Sequence, residues 1–214
     1  MIKKLQALKA KKGFTLVELV VVIAIIGVLA AILVPTMLGV VEDSRITSAN
    51  QLAANIKNRV TEFFGKMDSI KASYVGGEAL IIIKATDGVW SYETGSADLS
   101  ADSAWLDKKD HGGESADAKG DIENKDTELI AYIADTTSDM KNAYVEINIG
   151  TNSKVLGVAA IEGTDTKPSG TNQDVPDKDA FAAGEWSGWK GKAGVIEGNI
   201  IIGTAPVLTK AATT

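Results

Sequence analysis

The chain has 214 residues, with 28 acidic against 22 basic side chains and a formal net charge of −6. It has one histidine and no cysteine, which excludes disulfides, thiol catalysis, thiolate metal centres and covalent haem attachment. The acidic balance also argues against a surface that meets DNA or anionic lipid non-specifically.

The first thirteen residues carry five lysines (Lys3, Lys4, Lys9, Lys11 and Lys12), no acid, and end at Gly13. Phe14-Thr15-Leu16-Val17-Glu18 then opens an apolar run in which Thr15 and Glu18 are the only polar side chains as far as Val34. Twenty-one residues at ~1.5 Å each make a helix of about 31 Å, close to the ~30 Å hydrocarbon thickness of a bilayer. The lysines favour the cytoplasmic side, so the segment is predicted to insert with its N-terminus inside and to export the rest of the chain. A secretory signal peptide has a shorter apolar core with a small-residue cleavage site after it. Here the small residue, Gly13, comes before the apolar run. A cut there removes the charges and keeps the greasy helix. The 201 residues that remain have 17 basic and 28 acidic side chains, a net charge of −11.

Glu18 stands one turn into this helix, where a carboxylate is costly and usually functional. One reading places it in the headgroup region. The other gives it a cation: cutting after Gly13 creates a free amine on Phe14, four residues away within one helix and available to a staggered neighbour. A buried pair of that kind is weak evidence for net stability but suits the setting of register.

The stretch Lys11-Lys12-Gly13-Phe14-Thr15-Leu16-Val17-Glu18-Leu19 resembles the class III signal of type IV pilins and type II secretion pseudopilins. The resemblance covers roughly residues 1–60. It implies that a prepilin peptidase cuts after Gly13 and methylates the new amine of Phe14, and that Glu18 meets a neighbour's N-terminus during assembly. It also implies a helix weak point at Gly27 and Pro35. Proline removes a backbone donor and clashes one turn back, and glycine costs about 1 kcal/mol relative to alanine. The alternative for these two residues is a simple bend at the membrane exit. Many Gram-negative pilins close a C-terminal loop with a disulfide, and this chain departs from that pattern.

Beyond Pro35 the pattern turns amphipathic. Leu52, Ile56, Val60, Phe63, Met67 and Ile70 form one helical stripe, and Gly76-Gly77 marks a stop. One helix is therefore predicted from Phe14 to about Val75, bent near Pro35, with Phe63 and Phe64 in the core. Ala79–Ala85 reads as a buried strand, Asp87-Gly88 as a turn and Val89–Glu93 as the hairpin partner. A short helix is predicted from near Thr127, across Leu129–Ala134. Ala143–Ile149 and Val155–Ile161 form the clearest hairpin, around residues 150–154. Val195–Ile202 reads as one further strand, and Pro206–Thr209 as a short edge. Residues 98–128 and 162–192 read as long loops, which are usually functional or mobile. Trp186 and Trp189 in the second are expected to pin it to the sheet, with an exposed adhesive surface as the alternative.

The fold class that emerges is α+β: a long N-terminal helix, half transmembrane and half amphipathic, packed on an antiparallel β-sheet head. The expected divisions are a leader at 1–13, a membrane or filament-core helix at 14–35, its amphipathic half at 36–76 and a head at 77–214. Little catalytic chemistry is visible. His111 lies in an acidic loop with no placed nucleophile. Asp98, Asp102, Asp107, Asp110, Asp117 and Asp121 do not follow calcium-loop spacing, nor do Asp165, Asp174, Asp177 and Asp179. No enzyme activity, cofactor, metal or direct nucleic-acid partner is expected. The resemblance implies a structural subunit of a type IV pilus, on the cell surface after assembly and in the membrane before it. Its partners are then copies of itself or related pilins in a helical filament, the prepilin peptidase and the pilus assembly machinery. A pseudopilin of a secretion or DNA-uptake system is the alternative. A membrane-tethered domain that never polymerises is a third reading, which leaves the position of Glu18 unexplained.

Overall fold

The computed structural model describes residues 14–69, 73–93, 97, 99, 125–137, 140–167, 175–190, 192–197 and 200–212. Helix α1 occupies Leu16–Ser69, and contacts divide the chain into two units, Met1–Ser44 and Arg45–Thr214. In the first unit every large apolar side chain from Phe14 to Val41 is between 45% and 82% exposed. The apolar surface thus continues past Pro35, through Met37, Leu38, Val40 and Val41. This helix is long and apolar enough to cross a membrane.

The second unit is α+β. On α1 the buried stripe is Ile46, Ala49, Leu52, Ala53, Ile56, Val60, Phe63, Phe64 and Met67, so the face read from the sequence is the packed face. The helix ends earlier than Val75. By Tyr74 the chain has turned, and the Tyr74 ring packs on Phe64 at 5.6 Å between centroids. The predicted stripe residue Ile70 lies outside the described residues.

Six strands form the main sheet: β1 (Ala79–Thr86), β2 (Val89–Tyr92), β3 (Ala143–Ile149), β4 (Val155–Glu162), β6 (Val195–Glu197) and β7 (Ile200–Ala205). They are antiparallel and lie in the order β2-β1-β3-β4-β7-β6. Asp87 and Gly88 make the two-residue β1–β2 turn with φ of 51° and 85°, the left-handed pair that matches strand twist. Helix α2 (Lys125–Thr136) lies where the short helix was expected. Its Leu129 and Ile133 join the α1 stripe from Leu52 to Met67 and Ile81, Ile83, Val145 and Ile147 in the main core. Arg59 fastens α2 to α1, bonding Thr136 through Nε, Asp135 at 3.0 Å and Glu62 at 3.1 Å.

Three further expectations need correction. Val195–Ile202 is a hairpin rather than one strand: β6 and β7 pair with Val195 opposite Ile201 and Glu197 opposite Ile200. Gly198-Asn199 is a hairpin-type dipeptide, and the apolar residues around it masked that signal. Residues 162–192 are not one loop either. They include helix α3 (Lys178–Ala183) and strand β5 (Glu185–Trp186), which pairs in parallel with β8 (Thr209–Lys210). Asp177 caps α3 by accepting the Ala180 N–H at 3.0 Å, and Gly184 ends it in the left-handed region. The expected edge at Pro206–Thr209 is displaced, since β8 starts at Thr209.

These elements cover the sheet face opposite α1. Ile82, Tyr144, Ile161 and Ile202 pack there against Phe181, Trp186, Trp189 and Leu208. All seven residues of β3 are therefore buried, which an open sheet would not require. The tryptophans are anchors, not an adhesive surface. Their rings meet edge to face at 4.7 Å, and Trp189 Nε1 donates to the Thr209 carbonyl at 3.2 Å. Ala211 N–H donates to the Trp186 carbonyl at 3.1 Å. Glycines permit the closest approaches: a Cβ on Gly157 would lie 2.2 Å from the Phe181 ring.

Within this layer Tyr144, 2% exposed, donates to Glu146 Oε1 at 2.8 Å, and Lys167 reaches the same oxygen at 3.2 Å. Burial, then the charge of Glu146, holds the Tyr144 phenol well above its ordinary range. A raised phenol favours the folded state fully below the unfolded pKa of about 10, and this advantage is lost as pH climbs beyond it. Tyr144→Phe is expected to flatten the alkaline limb of a stability–pH curve above pH ~10 by up to about 1.4 kcal/mol per pH unit. Urea titrations of both proteins at a series of alkaline pH values check this.

Candidate functional site

The candidate site is the start of α1. Thr15 is its N-cap and Glu18 stands three residues on. Glu18 Oε2 accepts the Thr15 N–H at 2.9 Å and the Thr15 hydroxyl at 2.7 Å, while the Glu18 N–H reaches Thr15 Oγ1 at 3.3 Å. This is a capping box, which satisfies backbone donors that the first helical turn leaves open. The Thr-x-x-Glu spacing was legible in the sequence. Neither the headgroup reading nor the amine reading of Glu18 included it.

Phe14 is 82% exposed at the head of the helix. Gly13 lies outside the described residues. Gly27 and Pro35 lie inside α1, whose helical hydrogen-bonded pattern runs through both. Pro35 lacks the N–H that would serve the Ala31 carbonyl. Thr36 directs its hydroxyl back to the Leu33 carbonyl at 2.9 Å, which hides a polar group within the apolar run. A Cβ on Gly27 would meet nothing within 4 Å. Val21, Ala24, Ile25, Val28 and Leu29 line a shallow, wholly apolar depression on the helix surface.

The other sequence candidates are not gathered into a site. His111 and Asp98, Asp102, Asp107, Asp110, Asp117, Asp121 and Asp174 lie outside the described residues. Asp165 accepts the Thr86 hydroxyl at 2.8 Å, and Asp177 is spent on the α3 cap. Among the described residues, no group of three or more His, Asp or Glu side chains is placed to hold a metal ion.

An apolar helix led by a capping box, joined in sequence to an α+β head, is a layout consistent with a type IV pilin-like fold, and comparisons with known proteins point the same way. Residues 8–34 match the family model described as the prokaryotic N-terminal methylation motif. Residues 46–209, about three quarters of the chain, match a second model, and the chain belongs to that family, described as a domain of unknown function (DUF5021). The chain is 46% identical over 56 residues to fimbrial protein EcpC of Eikenella corrodens, which is 26% of this chain and 37% of that one. It is 43% identical over 54 residues to type IV major pilin protein PilE1 of Neisseria gonorrhoeae, 25% of this chain and 33% of that one. A fimbrial protein of Moraxella nonliquefaciens is 43% identical over 54 residues, 25% and 35% of the two chains. The chain thus spans about a third of the length of these curated relatives. No solved structure matches it. The likeness supports a pilin-like structural subunit.

Proposed function

We propose that this protein is a subunit of a type IV pilus, assembled through α1 after its leader is removed. The observation that carries this reading is the bare apolar surface from Phe14 to Val41, at least 45% exposed at every large side chain. In water it would be a strong aggregation hazard. Lipid covers it before assembly, and the same surface on neighbouring copies covers it afterwards.

In this reading residues 1–13 are the leader and the peptidase cuts between Gly13 and Phe14. Residues 14–35 form the membrane and then the filament-core segment, 36–76 its amphipathic continuation and 77–214 the head. Between Phe14 and Ser44 the sequence has Glu18, Glu42 and Asp43 and no Lys or Arg. The only cation that this stretch acquires is the amine that cleavage frees on Phe14, methylated in the mature subunit. Glu18 exchanges its Thr15 contacts for the amine of a neighbour as subunits stack. Gly27 and Pro35 provide a weak point where the helix can yield during packing. The partners are copies of this chain or related pilins, the prepilin peptidase and the assembly machinery, at the membrane first and on the cell surface later.

Mass spectrometry of the mature N-terminus tests the reading, combined with electron microscopy of sheared surface fractions. The expected result is a chain that starts at N-methylated Phe14 and is recovered in filaments. A chain that retains its leader and appears only as single membrane-bound molecules overturns it.

A further inference from the structure

The apolar surface of α1 is longer than a bilayer needs. From Phe14 to Val41 it covers 28 residues, about 42 Å of helix against ~30 Å of hydrocarbon. Charge marks narrower limits. Glu18 and Glu42 bracket Leu19–Val41, 23 residues without a charged side chain and about 35 Å long. That length crosses the hydrocarbon with a modest tilt. Thr36 is the one hydrogen-bonding side chain within it, and its hydroxyl donates to the Leu33 carbonyl at 2.9 Å. Met37, Leu38, Val40 and Val41, between 53% and 68% exposed, carry the apolar surface up to Glu42.

The start of the helix points to the same inner limit. Helix α1 begins at Leu16, so the N–H groups of Leu16 and Val17 belong to a first turn with no acceptor inside the helix. The capping box serves the N–H groups of Thr15 and Glu18. Hydrocarbon offers the others no partner, whereas headgroup water does. A span that started at Phe14 would take this turn and a carboxylate into lipid and leave Met37 to Val41 in water. The nearest leader cation, Lys12, would tolerate such a span, because Glu18 lies six residues deeper. We propose that lipid covers Leu19–Val41 before assembly, and that Glu18 sets this depth by holding the first turn among the cytoplasmic headgroups. This placement rests on the membrane stage of the filament reading above and moves both limits of its membrane segment toward the C-terminus. Glu18 leaves the headgroups only when a neighbour's amine replaces them.

The chain has no cysteine, so each single substitution supplies a unique thiol. Leu16→Cys, Leu38→Cys and Gln51→Cys are made in the full-length chain and placed in phosphatidylcholine vesicles of ~30 Å hydrocarbon thickness. A membrane-impermeant maleimide is supplied on both faces, and Gln51, exposed on α1 beyond Glu42, is the reference for water. Leu38→Cys is expected to react at least about tenfold more slowly than Gln51→Cys, and Leu16→Cys to stay within about fivefold of it. Adding Glu18→Leu is expected to slow Leu16→Cys at least about threefold, as the first turn sinks into lipid, and to leave Gln51→Cys unchanged. Fast reaction at Leu38→Cys, a Leu16→Cys as slow as Leu38→Cys, or a Leu16→Cys rate that Glu18→Leu leaves unchanged each overturns the placement while filament assembly stands. A chain that alkaline carbonate washes from the vesicles overturns the membrane stage itself, and this placement with it.

Discussion

Glu18→Ala should leave membrane insertion and leader cleavage intact and cut filament yield at least about tenfold, because a neighbour's amine would enter an apolar core with no counter-charge. The capping box adds a complication that a second substitution resolves. Alanine removes both the charge and the acceptor for Thr15, so a frayed first turn could by itself account for the loss. Glu18→Gln keeps an acceptor at the same reach and removes only the charge. Equal failure of both variants assigns the defect to the charge. Normal filaments from Glu18→Gln would show that Glu18 works as a cap alone. N-terminal mass spectrometry of the membrane fraction, run beside microscopy, confirms that each variant has been processed.

Gly203→Val should abolish a stable head. A Cβ at Gly203 would lie 1.8 Å from the Ala49 carbonyl oxygen and 2.7 Å from the Asn50 nitrogen, both backbone atoms that no rotamer change can move. The neighbouring Thr204 N–H donates to Asn50 Oδ1 at 2.9 Å, so β7 is bonded to α1 at the same point. Forcing the two apart breaks that bond and opens the contact among Ile46, Ala49 and Ile201. The expected cost exceeds about 4 kcal/mol, at the severe end for single substitutions. A lowering of Tm by at least about 10 °C, followed by circular dichroism of the detergent-solubilised chain, is the measurable form. Gly65→Ala is the control. It is exposed on α1, its Cβ would meet nothing within 4 Å, and a helix-interior glycine costs about 1 kcal/mol relative to alanine, so Tm should hold or rise. A Gly203→Val chain that melts like wild type would refute the tight helix–sheet seam.

What could be read in advance divides along physical lines. The α1 stripe from Leu52 to Met67 was legible because a half-buried helix must repeat every 3.6 residues, and β3–β4 because strands flanking a polar turn carry strong apolar patterns. The layer after Glu162 was not. Its helix and strand are six and two residues long, too short for a period to show. They are held by long-range partners such as Thr209 with Gly184 and Trp189. For the same reason β6–β7 looked like one strand: a Gly-Asn step inside a run of β-branched residues reads as continuous until the chain is seen to fold back. At the candidate site, the cleavage junction and Glu18 were conspicuous in sequence. The bond from Thr15 to Glu18 was equally local, yet neither reading of the carboxylate included it.

The segment that ends at β8 is fastened by a parallel two-strand pair, an indole donor on a backbone carbonyl and two touching indoles, with no sulfur in the closure. Maturation of the head therefore needs no thiol-oxidising enzyme. The domain should reach its native form equally well in a reducing cytosol or in an anaerobic cell, and dithiothreitol should leave its melting curve unchanged.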